Sequence, residues 1–185
     1  MLSVLREIRD RIGQEKFPLN DVTYYSNAST MIISPSMPCV LKLSHAHAGM
    51  GKIRVNDQQG FEDMRTVCSL HDEYLSAEPF FPYDSGIRVQ KCVNTYRVWE
   101  KIPTGSSWKS QFGGSDLREI PLTSQFKLWA DECAKAFRGL DLFAVDALKK
   151  TNKGNTILEQ EKKETPETII IFQIKMDLFL TSLLS

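Results

Sequence analysis

Net charge is the first thing this chain lacks: Lys plus Arg number 23, and Asp plus Glu number 23, in 185 residues. Binding nucleic acid or an acidic membrane by bulk electrostatics needs a basic excess. Both modes are therefore disfavoured, and only a local basic site is allowed. Paired cysteines are missing too. Cys39, Cys68, Cys92 and Cys133 are scattered through apolar contexts with no Cys-x-x-Cys spacing, which argues against zinc and for reduced core thiols in a cytosolic protein. Histidine is scarce: His45 and His47 could offer two metal ligands from one strand face, but only His71 remains to supply a third. The opening Met-Leu-Ser-Val-Leu-Arg-Glu-Ile-Arg-Asp has early acidic residues and no sustained apolar run, so it does not read as a signal peptide. Residues 169–184 are apolar but interrupted by Gln173, Lys175 and Asp177. They are also shorter than the ~20 residues of a spanning helix. That stretch reads as a buried strand or helix, or as a sticky tail.

What is present suits one domain or a small two-layer domain, with 42% hydrophobic residues for a core. Leu2, Leu5, Ile8 and Ile12 recur at helical spacing until Gly13. Residues 17–25 read as loop and short strand, and the prolines at 35 and 38 mark a connector. Strands are expected over 39–43 and 52–56, then a helix over 58–69 capped by Asp57. Residues 74–81 read as extended, and 87–93 and 96–102 as a hairpin through Asn94-Thr95. A long loop follows over 103–116, rich in serine and carrying Gly105, Gly113 and Gly114. Loops of that length are commonly either functional lids or plain connections. Thr123 or Ser124 caps a helix that Gly139 ends, and strands follow over 143–148 and 156–160. Antiparallel hairpins mixed with helices point to an α+β fold.

The most informative stretch is Val40-Leu41-Lys42-Leu43-Ser44-His45-Ala46-His47-Ala48-Gly49-Met50-Gly51-Lys52-Ile53. A β-rich run enters a small glycine-punctuated turn and resumes as a strand, with a lysine on each side. Such a turn presents backbone N–H groups and compact positive charge to an anion. The alternative is a hairpin with two solvated lysines. It is not a Walker loop, which needs G-x-x-x-x-G-K-[ST] leading into a helix; Ala46 replaces the first glycine and Ile53 follows Lys52. If 143–148 and 156–160 pair around Gly154, Asp146 and Glu159 could share a face and hold a magnesium or calcium ion through oxygen ligands. They could equally be solvated acids of an edge pair. Glu78-Pro79-Phe80 closes an extended segment, and its proline is expected to release backbone groups from the ladder, where they could read an adenine edge; taken alone, the tripeptide reads more simply as a β-edge ending at a turn.

Together these segments resemble the synapsin C domain, an ATP-grasp nucleotide-binding fold. The resemblance runs from about residue 2 to 159. It rests on His45-Ala46-His47-Ala48-Gly49-Met50-Gly51-Lys52, Glu78-Pro79-Phe80, Ile87-Arg88-Val89-Gln90-Lys91, Trp108-Lys109, Lys127-Leu128-Trp129, Gly139-Leu140-Asp141 and Ala144-Val145-Asp146-Ala147-Leu148. It implies an antiparallel sheet with packed helices, lacking the N-terminal α/β subdomain, over 1–160, and a divergent tail over 161–185. Lys42 would contact ATP phosphates from the strand, with His47, Gly49 and Gly51 in the small loop over them and Lys52 nearby in the ATP site. Glu78 and Phe80 would line the adenine hinge through backbone groups, Arg88 would belong to the ATP site, and Lys109 would close from the glycine-rich loop. Asp146 and Glu159 would hold Ca²⁺ or Mg²⁺.

Two departures stand out: aspartate replaces the family's usual glutamate at Asp146, and Gly86 replaces an aspartate before Ile87-Arg88. The resemblance further implies a non-catalytic, cytoplasmic protein of the presynaptic terminal, peripheral on synaptic vesicles. It would regulate neurotransmitter secretion and vesicle clustering, with ATP, the vesicle membrane and other synapsins or copies of itself as partners, and no nucleic acid. The alternatives are an ATP-grasp ligase joining a carboxylate to an amine or thiol, and a truncated interaction fragment that binds no nucleotide.

Overall fold

The computed structural model describes residues 2–44, 50–70, 72–104, 115–150 and 168–175. These fall into two compact units. Of the described residues, the larger takes in 2–19, 83–104, 115–150 and 168–175, and the smaller takes in 20–44, 50–70 and 72–82.

The smaller unit contains strand β1 (Thr23–Tyr25), a 3₁₀ turn at Ala28–Thr30, β2 (Cys39–Leu43), β3 (Lys52–Val55), helix α2 (Gln58–Cys68) and β4 (Leu75–Pro79). The strands form one antiparallel sheet in the order β1-β4-β2-β3. Side chains alternate across such a sheet, and here Cys39 and Leu41 of β2, Val55 of β3, and Leu75 and Ala77 of β4 turn to one face. There they pack with Tyr25, Met31, Phe61 and Cys68. Asp57 caps α2 by accepting the Gly60 N–H at 2.8 Å, as its place before the apolar stripe predicts. Lys42, Lys52, Arg54 and Glu78 belong to the opposite face by the same alternation.

The larger unit contains helix α1 (Leu2–Ile12), β5 (Ser85–Cys92), β6 (Thr95–Pro103), β7 (Ser115–Ile120), helix α3 (Ser124–Ala136), β8 (Leu142–Lys150) and β9 (Thr168–Lys175). Its sheet is antiparallel in the order β7-β6-β5-β8-β9. Ile87, Val89, Val98, Phe143, Val145 and Ala147 cover one face and pack with Leu5 and Ile8 of α1 and Phe126, Trp129 and Cys133 of α3. The Trp129 indole N–H donates to the Lys16 carbonyl at 2.8 Å, fixing α3 to the turn after α1. Thr123 is the helix cap, accepting the Phe126 N–H at 3.2 Å.

Three details differ from the sequence reading. β7 is a strand that starts within the last two residues of the loop expected over 103–116 and continues through residues for which no element was expected; its six residues carry no apolar alternation, and its place beside β6 at the end of the sheet order makes it an edge. The β5–β6 turn is Val93-Asn94, with Cys92 opposite Thr95. The neighbours of β8 are β5 and β9. The stretch 156–160, expected to pair with β8, lies outside the described residues. Both flanks of β8 are already taken, the second by 168–175, whose sequence Thr-Ile-Ile-Ile-Phe-Gln-Ile-Lys is richer in β-branched residues.

Candidate functional site

The expected site residues in the smaller unit gather on the sheet face away from its core. β2 pairs β3 so that Lys42 lies directly opposite Lys52, and the Leu43 N–H closes the turn onto the Gly51 carbonyl at 2.8 Å. Gly51 adopts φ +69°, a left-handed conformation that explains a glycine at this end of the turn. Like charges directly opposite each other destabilise a ladder. An acid from the third strand offsets them here: Lys42 Nζ donates to Glu78 Oε2 at 2.8 Å. Glu78 is only 2% exposed. Burial pushes its carboxyl above the ordinary range, while Lys42, by charge and hydrogen bond, and Lys52 pull it back down. The net pull on Glu78 is therefore toward the proton. Beside this pair the Arg54 guanidinium lies 4.0 Å from the centre of the Phe80 ring, a cation–π contact.

The hinge segment corrects one expectation. Pro79 does not release the chain from the ladder: it stays in register with Cys39, and the Phe80 N–H donates to the Pro38 carbonyl at 2.7 Å. In an antiparallel pair, consecutive residues point their polar groups to alternate edges. With Phe80 bonded toward β2, the nitrogen of Pro79 faces the other edge, where a missing N–H costs nothing. On that edge the β1 ladder stops at Ala77.

In the larger unit, Arg88 and Asp146 are direct cross-strand partners on the face opposite the core. They form a two-point contact, with Arg88 Nε to Asp146 Oδ1 at 2.8 Å and Nη2 to Oδ2 at 3.3 Å. On the other side Asp146 faces Gln173, and the β8–β9 register shifts between Asp146 and Ala147. The same sheet face carries Trp99, whose indole donates to Gln90 at 3.0 Å beneath the Arg97 guanidinium. Gly86 also belongs to this face. A Cβ there would find its nearest neighbours at 3.9 Å, so glycine is not required and a side chain at this position meets no clash.

Thus the structure brings Lys42 of β2, Lys52 of β3 and Glu78 of β4 together in one unit, with Phe80 just past the end of β4, and Arg88 with Asp146 in the other. His47, Gly49, Lys109 and Glu159 lie outside the described residues. Arg54 and the carboxylate of Glu78 were not singled out from sequence as side-chain partners; their neighbours arrive across the sheet from distant parts of the chain, 36 residues away for Glu78 and Lys42. A divalent ion at Asp146 would have to share its oxygens with Arg88. Among the described residues no group of three or more His, Cys, Asp or Glu side chains could hold a metal.

An antiparallel lysine-bearing sheet and a second antiparallel sheet backed by two helices are the components of an ATP-grasp fold. Solved structures agree. The ATP-grasp ligase PsnB, complexed with a minimal precursor, superposes with a TM-score of 0.59 at 11% identity, covering 97% of this chain and 51% of that one. The D-alanine–D-alanine ligase of Bacillus anthracis, complexed with ATP, gives 0.57 at 13% identity over 94% of this chain and 53% of that one. Within that class the chain belongs to the synapsin family: the family described as "Synapsin, ATP binding domain" matches residues 1–177. Synapsin of Drosophila melanogaster is 27% identical over 146 residues, which is 77% of this chain and 14% of that protein. The match to residue 177 takes in β9 and runs past residue 160, where the resemblance was expected to end.

Proposed function

We propose that this chain binds ATP as a non-catalytic regulatory module of the synapsin type. The observation that carries the reading is the opposed pair Lys42 and Lys52 at the mouth of a glycine turn, on the sheet face away from the core, in a chain of this family. Two ammonium groups opposed across one ladder form a site for a polyanion. In this reading Lys42 and Lys52 take the phosphates, with the turn His47, Gly49 and Gly51 over them and Lys109 closing. Glu78 and Phe80 stand at the adenine hinge, and Arg88 assists the phosphates. Asp146 and Glu159 would bind Mg²⁺ or Ca²⁺, which would neutralise phosphate charge. Attachment to synaptic vesicles, assembly with other synapsins and control of neurotransmitter release are proposed on family membership. Among the described residues no helix is long and apolar enough to cross a membrane.

Calorimetric titration of the folded chain with ATP and Mg²⁺ tests this. Saturable binding is expected, and Lys42→Ala and Lys109→Ala should each weaken it by about 10- to 100-fold, the worth of one charge-assisted hydrogen bond. No binding at millimolar ATP, or unchanged affinity in both variants, overturns the site. Release of ADP and phosphate only when a carboxylic acid is added would replace the regulatory reading with a ligase.

A further inference from the structure

Among the described residues Glu78 is the most deeply buried acid of the smaller unit, and its side chain accepts a hydrogen bond from Lys42 Nζ at 2.8 Å. Both belong to the face that carries the opposed lysines. The charged and titratable groups facing Glu78 come from three strands. β2 presents Lys42, β3 presents Lys52 and Arg54, and β1 presents Tyr24, which stacks on Tyr74 with ring centres 5.5 Å apart. None of these is a second acid. As the face stands, the buried carboxylate is tolerated because the hydrogen-bonded Lys42 ammonium, with Lys52 beside it, offsets its charge.

A nucleotide changes that balance. Its phosphates carry several negative charges, and on the functional reading above they are received by the same Lys42. The phosphates then compete with the buried carboxylate for Lys42, the ammonium that hydrogen-bonds it, and draw on the charge of Lys52 as well. Repulsion between like charges favours the neutral form of the group that is more easily protonated in place. Glu78, already lifted by burial and held ionised by Lys42, is that group.

We propose that the Glu78 carboxylate is the resting counter-ion of Lys42, and that seating phosphates on Lys42 transfers a solvent proton to Glu78, so that capture of ATP consumes a proton. Glu78 is then a positioning residue: ionised, it holds the Lys42 ammonium extended along the sheet face in the empty site; protonated, it releases that ammonium to the phosphates. Linkage fixes the sign. A complex that binds more protons than the free partners gains affinity as pH falls.

The inference rests on the ATP reading, and one experiment separates the two. Mg-ATP is titrated into the full chain at pH 6.5 in two buffers of different ionisation heat, and then across pH 6 to 8 in one buffer, for wild type and for Glu78→Gln. Wild type should take up a fraction of a proton per ATP and bind about 3- to 10-fold tighter at pH 6 than at pH 8, in line with that uptake. The glutamine variant should show only the nucleotide's own protonation and lose the excess pH dependence. ATP binding with no difference in proton uptake between the two proteins overturns the inference and leaves the ATP reading standing. Absence of ATP binding by folded wild type overturns both. Should Glu78→Gln not fold, infrared difference spectra of wild type supply the second measurement: ATP must raise a protonated-carboxyl band, and its absence overturns the proposal.

Discussion

Val93 shows what single residues contribute when the backbone decides. It occupies the first turn position between β5 and β6 with φ +54°, a conformation costly for a branched side chain, and it is 53% exposed. Its N–H donates to the Asp141 carbonyl at 2.7 Å, so the turn is anchored and the strain is retained. Val93→Gly should therefore stabilise the chain by about 1 kcal/mol, the left-handed penalty less glycine's extra unfolded-state freedom. A denaturant midpoint unchanged or lowered would show that the valine earns its place by packing. The site shows the same division between what sequence reveals and what pairing adds. Lys42, Gly51 and Lys52 were legible because they lie within one hairpin, where spacing gives the geometry. The Lys42–Glu78 and Arg88–Asp146 contacts were not, because each needs a strand register that no local pattern records.

At the scale of elements, one polar cluster fastens α3 to the β5–β6 hairpin. The Asp131 carboxylate accepts from Lys91 Nζ at 3.0 Å and Lys127 Nζ at 2.6 Å, and also from the Tyr96 hydroxyl. Desolvation opposes its charge, but hydrogen bonds from Lys127, Tyr96 and Lys91 outweigh that and hold the carboxyl well below the usual carboxylate range. A depressed folded pKa gives stability that is fully present above the unfolded value near 4, and is lost as pH falls through the folded value. Asp131→Asn should cost about 2 kcal/mol at neutral pH, since the largely buried Lys91 loses its counter-charge. Urea denaturation at pH 7 and at successively lower pH checks this: the gap between wild type and variant must narrow in acid. Helices α1, α2 and α3 were readable from apolar spacing and caps. β7 and the β8–β9 pairing were not, because an exposed edge strand lacks alternation and a partner distant in sequence leaves no local signal.

The whole molecule is two cores within one short chain. Sequence composition promised a core but not its division, because each sheet alternates in the same way and nothing local states which strands share a neighbour. The cysteines are distributed in a way that makes the division measurable. Cys39 and Cys68 are buried in the smaller core and Cys133 in the larger, while Cys92 is exposed. Burial pushes the Cys39 thiol up to about 11 and the Cys133 thiol up to about 12, and a protonated buried thiol is inert to alkylation. Brief exposure to a maleimide should mark Cys92 alone in the native protein. Under rising denaturant, the remaining thiols become a pair of clocks read by peptide mass spectrometry: Cys39 with Cys68 times the opening of one core, and Cys133 that of the other. Simultaneous labelling would mean that the two cores melt as one cooperative body, and separate midpoints would give each its own stability in a single tube.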